Sequence, residues 1–311
     1  MSFTTTIKEE ISRIDNTRSE SISELSGFLR NNGSCTDTTI DLLTENATVA
    51  KRIYKLIKDI YDVTCEIENR KSVNFSKNNL YLIMINDKVD FILKDLSVID
   101  DYGNILEEPS NYILGSEEEI RAYFRGAFLS KGSINDPKTA RYHLEFLIEE
   151  KKEANIISKL LNEFDLNSKV LSREKGYMVY IKEAEKIGDF LRIIQASQAV
   201  LYYEDIRIYR DHKNMTNRLN NMEQANMDKV VETATKQIED IEYLKESIGL
   251  DLLDDKTKEA IEYRLKYPES SLLELSEIIS YETGVEITKS GLNHRFKKIK
   301  DLASKIRENK E

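Results

Sequence analysis

Cysteine is nearly absent: Cys35 and Cys65 are the only two among 311 residues. They have no CxxC spacing, so neither a disulfide framework nor a structural zinc site is indicated, and a reducing cytoplasm fits them best. Proline occurs three times and glycine 11 times. That is too few for long disordered linkers, and tightly connected helices and strands are expected almost throughout. No run of about 18 apolar residues occurs, and the opening MSFTTTIKEEISRI lacks a basic stretch followed by an apolar one, so no segment is expected to enter a membrane. The phosphate-cradling strings GxGxxG and GxxxxGK followed by Ser or Thr are missing too, so a nucleotide-binding loop is not indicated and no cofactor is expected. His143 and His212 have no second His or Cys at metal-ligand spacing and read as structural or solvated, so no metal site is expected.

Positive charge is in the minority. Lys plus Arg number 46 against 56 Asp plus Glu, a formal net charge of -10, and the chain as a whole should be repelled by a phosphate backbone. Any contact with nucleic acid must therefore be local. One segment breaks the pattern: Thr288 to Lys300, TKSGLNHRFKKIK, holds five Lys or Arg and no acidic residue.

The length suggests two or three domains at about 100 to 200 residues each. The first 200 residues contain a duplication. SELSGFLRNNGS (Ser23 to Ser34) aligns without gaps on AYFRGAFLSKGS (Ala122 to Ser133), placing Gly27 over Gly126 and Gly33 over Gly132 at a constant offset of 99. Each copy is followed by a strand-like run, a helical pattern, two further strands and an apolar-periodic helix, so the shared order reads α-β-α-β-β-α. Two such units can bury each other's first helices where Gly27 and Gly126 permit close approach. The segment from Asp100 to Asn111 gathers Gly, Pro and Asn and reads as the connection between them. Past Gln195 the texture turns to polar helix, with apolar positions recurring from Met215 to Ile248, which implies one or two linking helices.

The last 60 residues read as three helices. Asp255 is placed to cap the first and Pro268 to end it; Ser271 with Glu274 makes a capping box for the second; Gly284 marks a turn and Thr288 caps the third. At 100° per residue Leu292, Phe296, Ile299 and Ala303 form one apolar stripe on that third helix. Ser290, Asn293, His294, Lys297 and Lys298 face away or flank it, with Arg295 and Lys300 at the edges.

A basic helix closing a helix-turn-helix pattern is the sequence form of a major-groove reader. Asn293 and Arg295 are the base-reading candidates, because an amide matches adenine and a guanidinium matches guanine, while Lys289, Lys297, Lys298 and Lys300 reach phosphates. Gly291 in the first turn lets the helix N-terminus approach a phosphate closely. From Asp251 to Glu311 there are 12 Lys plus Arg against 13 Asp plus Glu, so this region is not a generic polycation. A second candidate surface holds Arg207, Arg210, Lys213 and Arg218 with Asn217 and Asn221; it suits either phosphate contact or docking of the linker helix.

Five segments then give a family resemblance spanning the chain: SFTTTIKEEISRI, AYFRGAFLSKGSINDP, NMTNRLNNMEQANMDKV, PESSLLELSEII and ITKSGLNHRFKKI. Together they resemble the WhiA family of bacterial transcriptional regulators. The resemblance implies an α+β protein with a two-lobed N-terminal domain of the LAGLIDADG homing-endonuclease type over residues 1–205 (lobes about 1–105 and 112–205). Linker helices over 206–249 and an all-α helix-turn-helix domain over 250–311, like region 4 of bacterial sigma factors, would follow. LSGFLRNNG (Leu25 to Gly33) and FRGAFLSKG (Phe124 to Gly132) occupy the two LAGLIDADG motifs. Active members of that type carry a metal-holding carboxylate at the next-to-last motif position, and here those positions are Asn32 and Lys131. An amide is a weak ligand and an ammonium repels magnesium, so no nuclease activity and no catalytic residue are expected, the alternative being a residual metal-dependent endonuclease whose ligands come from other carboxylates near the pseudo-twofold. The resemblance further implies promoter DNA as partner, regulation linked to cell division or sporulation, and a nucleoid-associated place in the cytoplasm. The acidic N-terminal region adds a transcription factor or RNA polymerase as a candidate partner.

Overall fold

The computed structural model describes residues 2–36, 38–71 and 79–308, so the outermost residues of the expected first and last domains, Met1 and 309–311, lie outside it. The chain forms two compact units, Met1–Arg210 and Asp211–Glu311.

In the first unit, helix α1 (Phe3–Ile11) precedes the duplicated part. The first lobe then runs α2 (Arg18–Asn32), β1 (Gly33–Cys35), β2 (Ile40–Thr44), α3 (Ala47–Tyr61), β3 (Glu66–Lys71), β4 (Asn79–Ile85) and α4 (Val89–Asp95). The second runs α5 (Glu117–Lys131), β5 (Gly132–Ile134), β6 (Leu144–Ile148), α6 (Lys151–Glu163), β7 (Lys169–Arg173), β8 (Gly176–Ile181) and α7 (Ala184–Ile193). Each lobe is a four-stranded antiparallel sheet, ordered β1-β2-β4-β3 and β5-β6-β8-β7. The observed order is thus α-β-β-α-β-β-α. The expected α-β-α-β-β-α missed β1 and β5, which at three residues each are too short to show alternation.

The duplicated helices begin alike, with capping boxes of Thr17 with Glu20 on α2 and Ser116 with Glu119 on α5. They pack on each other through their glycines. A methyl carbon on Gly27 would lie 2.3 Å from the Tyr123 carbonyl oxygen, and one on Gly126 only 1.9 Å from that of Glu24. Backbone meets backbone there, which only glycine permits.

Charges are buried along the same seam. Glu24, fully buried, accepts from Arg52 Nε at 2.9 Å, from Asn16 at 2.6 Å and from the fully buried Arg125 at 3.4 Å. Farther along, Arg30 of the first lobe meets Glu153 of the second at 2.5 Å and donates to the Ser97 carbonyl at 2.8 Å. Apolar side chains fill the rest, among them the ring cluster of Phe124, Phe128, Phe146 and Phe190.

Helix α8 (Ser197–Ser247) is continuous through the boundary of the two units. It starts at Ser197, before the expected linker, because Ala199 and Tyr203 are buried in the first unit's core. Its far end belongs to the second core, where Ile241 and Leu244 are buried with side chains of α9 (Asp255–Lys266), α10 (Leu272–Thr283) and α11 (Lys289–Glu308). No helix among the described residues is long and apolar enough to cross a membrane.

Candidate nucleic-acid interface

Local chemistry sets the three terminal helices. Asp254, not Asp255, caps α9: its carboxylate accepts from the Thr257 amide and hydroxyl, each at 3.0 Å, leaving Asp255 in the first turn. Ser271 and Glu274 form the expected capping box on α10, and Gly284 ends that helix in the left-handed region at φ +72°. Ser280 then fixes the turn, donating to the Ser276 carbonyl at 2.7 Å and accepting from the Ile287 amide at 2.8 Å. Thr288 accepts from the Gly291 amide at 3.1 Å. Arg264, buried, donates to the Ser270 carbonyl at 2.6 Å with its guanidinium 5.4 Å from the Phe296 ring, and so ties the first turn to α11.

Leu292, Phe296, Ile299 and Ala303 face the core, as the periodicity requires. Lys289, Ser290, Gly291, Asn293, His294, Lys297, Lys298 and Lys300 are exposed. Ser290, Asn293, His294 and Lys297 share one outward stripe at helical spacing. Gly291 is open, with only Thr288 Oγ1 within reach of an added methyl, at 3.4 Å. Asn293, Lys297 and Lys300 also line a cavity of about 660 Å³ against the far end of α8, where Arg307 pairs with Asp240 at 2.9 Å.

Two of the expected contact residues are engaged by carboxylates of the same domain. Arg295 donates to Glu259 at 2.8 Å and to the Lys256 carbonyl at 2.9 Å, which leaves its side chain only 18% exposed. In this arrangement Arg295 braces α11 against α9. Lys298 pairs with Asp254 at 2.5 Å, and together with the Thr257 donors this holds the Asp254 carboxyl down at about 2.

The second surface divides. Arg210 donates to the carbonyls of Pro137 and Thr139 at 2.7 and 2.6 Å and stands over the Tyr142 ring, while Arg207 pairs with Glu204 at 2.7 Å and Glu185 at 3.3 Å. Both dock the start of α8 on the second lobe. Lys213, Asn217, Arg218 and Asn221 are exposed, as is His212. His143 is structural, bonded to Glu145 at 3.0 Å and stacked on Tyr180.

Asn32 and Lys131 come together as the duplication requires, lining one cavity of about 600 Å³ at the C-terminal ends of α2 and α5. Asn32 donates to the Leu43 carbonyl, and Lys131 reaches Glu149 at 3.3 Å. The sequence reading missed Lys8, which α1 brings into the same cavity. Burial lowers its pKa to about 8, opposed by Glu45 and reinforced by the like charge of Lys131. The charged and amide side chains lining this site are Lys8, Lys131, Asn32, Asn46 and a single carboxylate, Glu45; one carboxylate set against two ammonium groups does not fit a divalent ion, which needs several oxygen ligands of net negative charge. Among the described residues no group of three His, Cys, Asp or Glu is placed to hold a metal ion.

Three family models divide the chain in the same sense. One described as the WhiA N-terminal LAGLIDADG-like domain matches residues 18–99, the WhiA LAGLIDADG-like domain matches 120–213, and the WhiA C-terminal HTH domain matches 216–303. The probable cell division protein WhiA of Bacillus cereus (strain AH187) is 45% identical over 311 residues, covering 99% of this chain and 98% of that protein. The chain belongs to the WhiA family. A namesake from Bacillus anthracis (strain CDC 684 / NRRL 3495) matches to the same extent. Among solved structures, full-length DUF199/WhiA from Thermatoga maritima superposes with a TM-score of 0.59 at 25% identity, over 98% of this chain and 99% of that one. The N-terminal LAGLIDADG domain of DUF199/WhiA gives 0.51 at 26% identity, over 62% and 90%. The two lobes are therefore LAGLIDADG-like and the second unit carries the WhiA helix-turn-helix domain.

Other residues that shape the interface carried no sequence signal. Arg264 and Ser280 act through backbone groups, and the partners of Arg295 and Lys298 lie 36 and 44 residues away. Only a three-dimensional arrangement brings them together.

Proposed function

We propose that this WhiA-family chain is a sequence-specific regulator that binds double-stranded promoter DNA, acts in cell division or sporulation, and does not cleave DNA. The observation that carries the reading is the outward stripe of Ser290, Asn293, His294 and Lys297 on a helix whose opposite face is locked into the core formed with α9, α10 and the end of α8. Asn293 suits the paired donor and acceptor of adenine, and Lys297 with Lys289 suits phosphate oxygens. Gly291 leaves room for a phosphate at the first turn. Lys213, Asn217, Arg218 and Asn221 are proposed as supplementary phosphate contacts, while Arg207 and Arg210 are assigned to docking. A regulator acting in this way would work at the nucleoid in the cytoplasm.

The reading is tested by fluorescence anisotropy on a selected promoter fragment at fixed salt. Asn293→Ala is expected to weaken binding by about 1 to 3 kcal/mol and relax specificity at one base position, and Lys297→Ala to weaken binding to all sequences alike. Unchanged affinity in both variants would remove the assignment.

The absence of cleavage is supported by Asn32, Lys131 and Lys8 at the former metal position. Supercoiled DNA incubated with the protein and magnesium or manganese is expected to stay unnicked, and stoichiometric nicking by homogeneous protein would reverse the proposal. A second reading, engagement of a transcription factor or RNA polymerase by the first lobe, is favoured by its sheet, whose outward face sets Asp41, Glu66 and Glu68 around Leu43. A pull-down with the intact chain that recovers neither class of partner would count against it.

A further inference from the structure

The two lobes share topology and register, so matching positions on their sheets can be compared directly. On the outward face of the first sheet one cross-strand row is Asp41, Met84 and Glu66, and the next is Leu43, Leu82 and Glu68. The matching rows of the second sheet are Glu145, Tyr180, Lys169 and Leu147, Met178, Leu171. The acids of the first lobe's β3 are thus replaced on β7 by a lysine and a leucine. Arg70, on the same face, is occupied by Glu68 at 2.8 Å.

Beside the second set of rows a cavity of about 650 Å³ opens, lined by Arg141, Arg173 and Lys182 with Tyr180 and His143. Among the described residues none of these three cations is paired with a carboxylate. Lys182 stands over the Tyr180 ring at 4.9 Å, and Arg173 reaches only the Met178 sulfur at 3.6 Å. The carboxylate on the adjoining row, Glu145, is engaged by His143. In a chain of net charge -10, three uncompensated cations converging on one concavity focus a local positive field. Among the described residues the matching face of the first lobe sets Asp41, Glu66 and Glu68 where this one carries Glu145, Lys169 and Leu171.

We propose that this groove on the second lobe is a phosphate-binding site. Arg141 and Arg173 offer the paired N–H donors that fit an oxyanion, and Lys182 adds a point charge. A phosphate group could come from a free phosphorylated small molecule or from the backbone of a duplex; the second source rests on the DNA reading proposed above.

The test uses the full chain and two probes. Sodium tripolyphosphate is titrated calorimetrically, and a selected promoter duplex is titrated by anisotropy over a series of salt concentrations. Both are repeated on the double variant Arg173→Ala with Lys182→Ala, whose side chains are exposed and whose fold is checked by circular dichroism, and on Asn293→Ala with Lys297→Ala. The groove predicts that tripolyphosphate affinity falls about tenfold or more in the first double variant and is unchanged in the second. A backbone source also predicts that the first double variant lowers the slope of log affinity against log salt by about 1.8, at roughly 0.9 per lost phosphate contact, and that duplex displaces tripolyphosphate. A free source predicts that the two probes bind together. If the double variant moves neither the tripolyphosphate affinity nor the salt slope, the proposal is overturned. Failure of the DNA reading has a different signature: duplex binding is absent in every variant while the tripolyphosphate arm still reports on the groove.

Discussion

Gly126→Ala adds one methyl group where the two duplicated helices touch. Its carbon would sit 1.9 Å from the Glu24 carbonyl oxygen and 2.8 Å from the Phe28 amide nitrogen, whereas ordinary contacts begin at 3.4 Å. Both neighbours are backbone, so no rotamer change relieves the clash and α2 must move away from α5 by about 1.5 Å. That movement opens the reciprocal Gly27 contact and draws Glu24 away from Arg125, already at 3.4 Å. Overpacking alone costs about 1 to 3 kcal/mol, and disturbing a buried ion pair adds to it, so a loss of about 3 to 5 kcal/mol is expected. For a unit of 210 residues each kcal/mol lowers the melting temperature by about 2 to 4 °C, giving a fall of roughly 6 to 20 °C. Gly103→Ala is the control: it has nothing within 4 Å and a φ of +84°, so only left-handed strain of about 1 to 2 kcal/mol applies. Differential scanning calorimetry reads both. If Gly126→Ala melted no lower than Gly103→Ala, close backbone packing would not be what joins the lobes.

Three further outcomes are expected. Glu24→Gln strands Arg52 and Arg125 without a counter-charge and should lower stability by about 3 to 5 kcal/mol in urea unfolding; a loss below about 1 kcal/mol would mean water already compensates the cluster. Gly291→Ala meets only a side-chain hydroxyl and should leave melting unchanged while weakening DNA binding several-fold, and equal affinity would show that the first turn of α11 does not approach a phosphate. Lys8 titrates near 8 in the folded chain against an ordinary 10.5. Below pH 8 both folded and unfolded chains hold its proton and the cost of burial stands in full; between pH 8 and 10.5 only the unfolded chain holds it, so stability rises with pH. The native chain should therefore gain about 1 to 3 kcal/mol on Lys8→Met across that window in chemical denaturation, and identical pH profiles would contradict the buried ammonium.

The glycine register was legible because close helix packing admits only one residue type at Gly27 and Gly126, and it predicted the seam between the lobes. The α11 stripe was legible because four apolar residues repeat at helical spacing. What escaped depended on partners far apart in the chain: Glu24 and Arg125 are 101 residues apart, and each looks like an ordinary surface charge. The ion pair of Arg295 escaped for the same reason, since helical angle places it at the edge of the apolar face but cannot reveal Glu259 across from it. The cap of α9 was missed by one residue because Asp254 and Asp255 are chemically identical, and only the Thr257 hydroxyl distinguishes them. Ile241 and Leu244 looked like linker positions although they complete the second core, so a fragment starting at residue 250 would lack part of its own interior.

The central claim is that α11 reads DNA through its outward stripe and not through its basic charge alone. Binding-site selection at a fixed near-physiological salt concentration, with full-length native protein and the Asn293→Ala and Arg295→Ala variants, tests it most directly. The account predicts one enriched motif for the native chain, loss of preference at a single base position in Asn293→Ala, and the same motif in Arg295→Ala. Enrichment lost with Arg295→Ala but intact with Asn293→Ala, in proteins of equal folded content, would contradict it.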